Sequence, residues 1–182
     1  MRRLGRGVSA LAALGVTVLV AGCGGSSGER AVAMTCPRIV PASATDTIAV
    51  MRPGGHEMKD ILVGGKILDA STTCKRVRDG GMDVFTEIHF YAKRADVRTP
   101  DTVLPYFVAL LDPQQQVIAQ EGFQLPVKFY PGEAERRFPA EDITINLPIK
   151  NVATGSAYTI VVGFQLTPDQ LAFNRAARAQ TP

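Results

Sequence analysis

Apolar and polar residues alternate along much of this sequence. Apolar side chains occupy every second position in the stretches 123–129, 143–149 and 158–164, and in 84–90 with Thr86 as the exception. This is the period of a β-strand that turns one face toward a core. The stretch 104–111 (LPYFVALL) is apolar on both faces, which is typical of a central strand. Weaker patterns over 47–51 and 61–68 predict two more strands, with a β-bulge at Gly64-Gly65.

Turn residues fall between these stretches. Residues 112–115 (DPQQ) have Pro at the second turn position and predict a type I turn, whereas 130–133 (YPGE) predict a type II turn. Pro126 and Pro148 lack an amide donor, so their strands should lie at a sheet edge, bulge or end there. About seven strands at this spacing predict an antiparallel β-sandwich over residues 36–166.

One short helix is predicted within residues 167–182. Thr167 offers an N-cap hydroxyl, Pro168 suits the first helical position, and Gln170 completes a capping box. Because so short a helix is marginal alone, we expect Leu171 or Phe173 to dock it onto the sheet.

Residues 155–162 (GSAYTIVV) resemble the penultimate strand of fibronectin type III and related immunoglobulin-like domains. The resemblance implies an immunoglobulin-like β-sandwich in which Tyr158 is structural, as a tyrosine corner whose hydroxyl bonds back to the chain. The sequence departs from that family because it has no Trp and predicts a helix where a last strand should follow. Residues 163–175 (GFQLTPDQLAFNR) resemble the tail of small uncharacterised proteobacterial envelope lipoproteins, a likeness that implies no activity.

The N-terminus has the pattern of a secretory signal. Three arginines precede an apolar run over 8–20, and small residues follow it. The alternative is a membrane-anchor helix, but the run is shorter than the roughly 20 apolar residues that a spanning helix needs.

Val20-Ala21-Gly22-Cys23 resembles the lipobox of bacterial lipoproteins. The resemblance implies a signal peptide at 1–22, cut before Cys23, and acylation of Cys23 with a diacylglycerol and an amide-linked chain such as palmitate. Several acyl chains meet the requirement for stable anchoring to a membrane. Gly24 after the cysteine, where Asp would retain an inner-membrane protein, implies the periplasmic face of the outer membrane. The lipidated Cys and a Gly- and Ser-rich flexible tether fill 23–35.

Removal of the signal changes the charge balance. The chain has 20 Lys and Arg and 17 Asp and Glu, but residues 1–22 hold three Arg and no acid, so 17 of each remain. A nucleic-acid partner needs a basic face, and a neutral domain predicts none. The basic clusters over 75–78 and 93–98 are interpreted as a solvated loop and a strand end.

The other two cysteines, Cys36 and Cys74, are predicted to form a disulfide, because an exported protein meets an oxidising environment. The alternative is a metal site that combines them with His56 and His89. No pair of these residues has the close spacing of known zinc motifs, so we expect no metal.

Candidate chemistry is sparse. Glu87, His89 and Tyr91 share one face of a predicted strand and are weak candidates for ligand binding or proton transfer; the alternative is an ordinary solvent-facing surface. No nucleophile elbow, phosphate-binding loop or dinucleotide fingerprint occurs in the sequence. We therefore predict no catalytic residues and no cofactor.

Taken together, these features predict a membrane-anchored periplasmic lipoprotein that acts as a non-catalytic binding or assembly accessory for an envelope protein. The alternative is a small-ligand or glycan-binding module, which predicts a pocket lined by aromatics such as Tyr91, Phe107 or Tyr130. An enzyme is the third and least favoured hypothesis.

Overall fold

The computed structural model describes residues 33–78, 80–139 and 141–179. The predicted signal peptide 1–22, Cys23 and most of the tether lie outside the described residues. Short 3-10 turns occupy Met58–Asp60 and Val152–Ala157. The strands and the helix are, in chain order, β1 (Arg38–Pro41), β2 (Thr47–Met51), β3 (Ile61–Arg76), β4 (Met82–Arg94), β5 (Thr102–Leu111), β6 (Val117–Val127), β7 (Glu135–Arg137), β8 (Glu141–Leu147), β9 (Thr159–Phe164) and α1 (Pro168–Ala179).

These strands form two sheets. The first sheet has the order β1-β9-β5-β6, and β5 lies inside it as its sequence predicts. The second sheet has the order β2-β3-β4, and both β7 and β8 pair with the far side of β4. All pairs are antiparallel except β1 with β9, which is parallel. The prediction of a mainly β fold with a short C-terminal helix is confirmed, although the described residues contain nine strands where about seven were predicted.

The core lies between the two sheets. The predicted alternation in β4 is confirmed, because Val84, Thr86, Ile88 and Phe90 are buried while the single residues between them face outward. The Phe90 ring bridges to the other sheet, with ring centroids 4.9 Å from Tyr106 and 5.9 Å from Phe164. Aromatic pairs at this separation add to the stability that burial provides.

The strand order differs from that of an immunoglobulin domain. In constant-type immunoglobulin domains the second and third strands lie in different sheets. Here β2, β3 and β4 follow one another in one sheet. The structure thus supports two packed sheets but does not establish the immunoglobulin subtype.

The predicted bulge at Gly64-Gly65 is wrong. Both glycines pair in register with β2 and with β4, and the irregularities of β3 lie on either side of them, between Ile61 and Val63 against β2 and between Ile67 and Asp69 against β4. Gly65 faces the core, where a Cβ atom would lie 2.5 Å from a methyl group of Leu104. Gly64 faces outward, where a Cβ atom would meet nothing within 4 Å.

Both predicted turns are present. The Gln115 amide donates to the Asp112 carbonyl at 2.9 Å in the β5–β6 turn. The Glu133 amide donates to the Tyr130 carbonyl at 3.0 Å, and Gly132 has the positive φ of 79° that a type II turn requires.

The capping box of α1 is confirmed, but the helix docks differently from the prediction. The Gln170 amide donates to Thr167 Oγ1, and Gln170 Oε1 accepts from the Thr167 amide. Leu171 and Phe173 are only half-buried, and Asn174 is the buried residue of the helix. A polar stripe, not an apolar one, therefore holds α1 against β2.

The Cys36–Cys74 disulfide is confirmed, with 5.8 Å between the Cα atoms. Cys74 lies within β3, not after the end of a strand as the sequence suggested. Next to the disulfide, the Thr72 hydroxyl donates to the Pro37 carbonyl at 2.8 Å. The first described residues are thus fixed to the second sheet before β1 joins the first. Within the described ranges, no helix is both long and apolar enough to cross a membrane.

Candidate functional site

The structure places Glu87, His89 and Tyr91 on the outward face of β4, where they alternate with buried residues. His89 Nε2 lies 3.2 Å from Glu87 Oε1 and 3.7 Å from Asp69 Oδ1. The imidazole is 39% exposed, and the two carboxylates are more exposed still. Charges in such open surroundings interact weakly, so this cluster has the properties of a solvent-facing surface.

Tyr91 belongs to a different group of side chains. Its hydroxyl donates to Glu135 Oε2 at 2.6 Å, and this hydrogen bond raises the pKa of Tyr91 above its ordinary value. Lys93 Nζ lies 3.8 Å from the same carboxylate. The three candidate residues therefore share a face but divide between two separate polar groups.

The cysteines are joined to each other, which removes them from the alternative metal site with His56 and His89. Over the part of the chain that the structure describes, no three His, Cys, Asp or Glu side chains converge as metal ligands would.

The basic cluster over 93–98 lies at a strand end as predicted, since β4 ends at Arg94, although Arg94 itself is only 6% exposed. The cluster over 75–78 was predicted to be a solvated loop, but its first two residues belong to β3, which ends at Arg76.

Arg94 Nε donates to the Glu133 carbonyl at 2.8 Å, and its Nη1 donates to the Thr99 carbonyl at 2.9 Å. Its guanidinium also lies 4.6 Å from the centre of the Phe129 ring. Arg94 thus holds two loops together, a structural role that a cluster of charges in the sequence does not reveal.

The aromatic residues expected around a ligand do not meet in one pocket. Tyr91 is on the outer face of the second sheet, while Phe107 packs over Gly163 in the first sheet. Tyr130 is 64% exposed in its turn, and the Arg136 guanidinium lies 4.3 Å from its ring centre.

Tyr158 is half-buried against the core, directly before β9. Its amide donates to the Gly155 carbonyl at 3.0 Å, which closes the preceding 3-10 turn. The role of its hydroxyl in a tyrosine corner stays a prediction.

A groove of about 410 Å³ lies between α1 and the outer face of the second sheet. We call it the α1 groove. Its floor includes Gly64, which is paired with Ala49 on one side and with Lys93 on the other. Its lining combines apolar side chains with cations: Met58, Ile61, Phe173 and Ala177, and Lys66, Lys93 and Arg178.

A smaller concavity of about 230 Å³, here called the β6–β8 notch, opens where the sheets part between β6 and β8. Its walls are mainly apolar, from Val108, Leu110, Phe123, Ile143 and Ile145. Glu121 is the one ionisable residue in this lining. The adjoining half of β6, residues 117–122, is exposed along its whole length.

Sequence reasoning missed both concavities. A glycine in mid-strand with Lys66 two positions further on was a usable signal for the α1 groove. No local signal could show that α1 would pack beside it.

Comparisons of the chain with protein-family models, with curated proteins and with solved structures give no match at a significant level.

Proposed function

We propose that this protein is a lipid-anchored, non-catalytic accessory of the cell envelope that docks to an extended segment of another envelope protein through β6. The lipobox resemblance at Cys23 supports the anchor, and Gly24 supports the periplasmic face of the outer membrane. The Cys36–Cys74 disulfide supports a firm connection, because it fixes the chain just after the tether to the long strand β3.

The observation that carries the docking proposal is the free edge of β6. Other edges of the sheets are short, charged or covered: β1 has four residues, β7 has three, β8 begins with Glu141 and Asp142, and α1 lies over β2. Proteins protect sheet edges in these ways because unpaired strand edges pair readily with other chains. β6 has eleven residues and a single charge, Glu121, and within the described part of the chain it pairs only with β5.

The partner segment should add to β6 as a further strand, with backbone hydrogen bonds providing affinity and alternate side chains providing specificity. One face of that strand would cover the apolar walls of the β6–β8 notch. Val117 and Ile118, which are 58% and 53% exposed, extend the apolar contact. The partner strand therefore has alternating apolar residues and a Lys or Arg opposite Glu121.

Replacement of Cys23 tests the anchor. We expect Cys23→Ser to move the protein from the membrane to the soluble fraction and to abolish incorporation of labelled palmitate, because the thiol is the acyl acceptor. Fractionation of cells that produce either form measures this. A Cys23→Ser chain that still sediments with membranes would refute the lipobox interpretation.

Site-specific photocross-linking tests the docking. A photoreactive amino acid at position 118 of the full lipoprotein, in its own membranes, should give one discrete adduct. The matched control is position 97, where Val97 is 47% exposed but lies outside any sheet. Peptide mapping should find an extended apolar segment with a Lys or Arg, and Glu121→Lys should abolish the adduct. A dimer of this chain, the same adduct from position 97, or no adduct would contradict the proposal.

A further inference from the structure

Among the described residues, nothing that surrounds Gly64 requires a glycine at this position. A glycine in mid-strand is destabilising relative to alanine, and it often marks a bulge, a tight bend or the close approach of a ligand or another backbone. Gly64 pairs in register on both sides, so it is not at a bulge. An added Cβ would meet nothing within 4 Å, so no neighbouring backbone requires the space either. The adjacent Gly65, by contrast, is required by core packing.

Gly64 lies at the floor of the α1 groove, and the space above it is part of the groove. Met58, which is 69% exposed, and the half-buried Ile61 and Phe173 offer an apolar surface around this floor. Exposed apolar surface within a concavity is typical of a binding site.

The charges of the groove have one sign. Lys93 lies directly opposite Gly64 on the neighbouring strand, and Lys66 is two residues further along β3 on the same face. Arg178 borders the helix side, and none of the described residues that line the groove carries a carboxylate. Lys93 and Arg178 have acidic partners outside it, Glu135 and Asp46. Among the described residues Lys66 has no such partner, which leaves one positive charge uncompensated at the floor.

We propose that the α1 groove binds a single-chain amphiphile with an anionic headgroup, a fatty-acid carboxylate or a lipid phosphate. The acyl chain lies across Gly64 against Phe173 and Met58, and the headgroup is held by Lys66 and Lys93. Burial of the chain removes apolar surface from water, and the cations select against an uncharged headgroup. This site lies on the second sheet beside β2, whereas β6 is an edge strand of the first sheet. Binding in the groove therefore does not depend on the docking proposed at β6.

The test is a titration of the ¹⁵N-labelled full chain followed by NMR. All samples carry Cys23→Ser, so that acyl chains of the protein do not compete. The probes are dodecanoate, dodecyl phosphate and dodecanol, which share a chain and differ in headgroup. We expect both anions, or one of them, to shift the amide resonances of Gly64, Lys66 and Phe173. Binding of one anion alone identifies the headgroup, and dodecanol should bind about threefold more weakly or worse, as loss of a surface charge pair predicts.

Matched variants separate the site from general association with amphiphiles. Gly64→Leu fills the floor and should weaken binding about tenfold, since it displaces the buried part of the chain. Thr73→Leu, on the same exposed face of β3 but outside the groove, should leave binding unchanged. Lys66→Gln should weaken binding of the anions about threefold, and Lys75→Gln should not.

Thermal unfolding of each variant checks its fold, and Gly64→Ala replaces Gly64→Leu if the larger side chain prevents folding. Equal binding of dodecanol and the two anions would overturn the proposal. The proposal would also be overturned if the Gly64 variant bound the anions as the parent does, or if Thr73→Leu weakened binding equally. Changes in amide resonances spread over the whole sequence would overturn it too.

Discussion

Identical residues in neighbouring positions have different physical roles in this protein. Gly64 and Gly65 are adjacent in one strand, yet only Gly65 is enclosed, with Leu104 and Ile48 within 3 Å of where its Cβ would be. The alternation of side chains along a strand explains the difference, since successive residues face opposite sides of the sheet. The same alternation puts Phe90 in the core and His89 in solvent.

Alanine at each glycine separates these roles. We expect Gly65→Ala to lower the free energy of unfolding by about 1–3 kcal/mol, because the added methyl group overpacks a dense core. Gly64→Ala should raise it by up to about 1 kcal/mol, since the position is open and its backbone is regular. Urea unfolding of both variants measures the difference. Equal effects of the two substitutions would contradict the orientation of β3.

Tyr106 predicts a pH dependence. Burial, with a smaller contribution from Glu141, raises the pKa of Tyr106 to about 12 from 10.0. As the pH rises above 10, the unfolded chain loses this proton first, so the folded state loses stability between pH 10 and pH 12. Tyr106→Phe should reduce this loss of unfolding free energy between pH 10 and pH 12. Tyr130→Phe, at an exposed position, should not reduce it. The midpoints of urea unfolding of the parent and both variants, measured below pH 10 and between pH 10 and pH 12, test this prediction.

At the scale of elements, α1 protects an edge strand by hydrogen bonding. Gln170 and Asn174 are one helical turn apart, and their side-chain amides donate to the Ala49 and Thr47 carbonyls at 2.9 and 2.8 Å. Arg178, one turn further, pairs with Asp46. Residues at this spacing lie on one face of a helix, so a polar stripe satisfies carbonyl groups along β2.

Removal of the central amide should loosen this contact. Asn174→Ala leaves the Thr47 carbonyl without its donor, and we expect a loss of about 1–3 kcal/mol in unfolding free energy. Hydrogen exchange should also accelerate in β2 more than in β5. Arg175→Ala, on the exposed side of α1, is the control and should stay within about 0.5 kcal/mol of the parent. Unchanged exchange in β2 after Asn174→Ala would show that other contacts hold the helix.

At the scale of the molecule, the disulfide closes a loop that contains β1 and β2. The bonded cysteines are 38 residues apart, and this loop includes the chain's passage from one sheet to the other. A cross-link of this length restricts the unfolded chain considerably.

Loss of the disulfide should therefore cost about 4 kcal/mol in the chain-entropy model. Urea unfolding of the oxidised protein, compared with the Cys36→Ser/Cys74→Ser variant, measures this. Addition of reductant should destabilise the parent and leave the double variant unchanged. A reductant effect of the same size on both proteins would contradict the assignment.

Local patterns predicted the parts of this fold that short-range physics controls. The alternation around Ile88 and Leu125, the turns at Asp112 and Tyr130, and the Thr167 cap depend on residues within a few positions, and the structure confirms them. The strand count was too low because β1 and β7 are too short to show a period. The immunoglobulin subtype depends on strand order, which one strand's resemblance does not determine.

The sequence by itself determined which faces of the strands are apolar and where the chain turns, because these follow from residue type and spacing. The pairing of Cys36 with Cys74 was predicted from the oxidising environment that the signal pattern implies. The sequence also holds the lipobox motif on which the proposed anchor rests. Tertiary structure alone decided that Arg94 is buried, that α1 covers β2 through a polar stripe, that no other described strand pairs with the outer edge of β6, and that Gly64 lies at the floor of a groove. Each of these depends on residues distant in the sequence, and only folding brings them within range of hydrogen bonds and van der Waals contact.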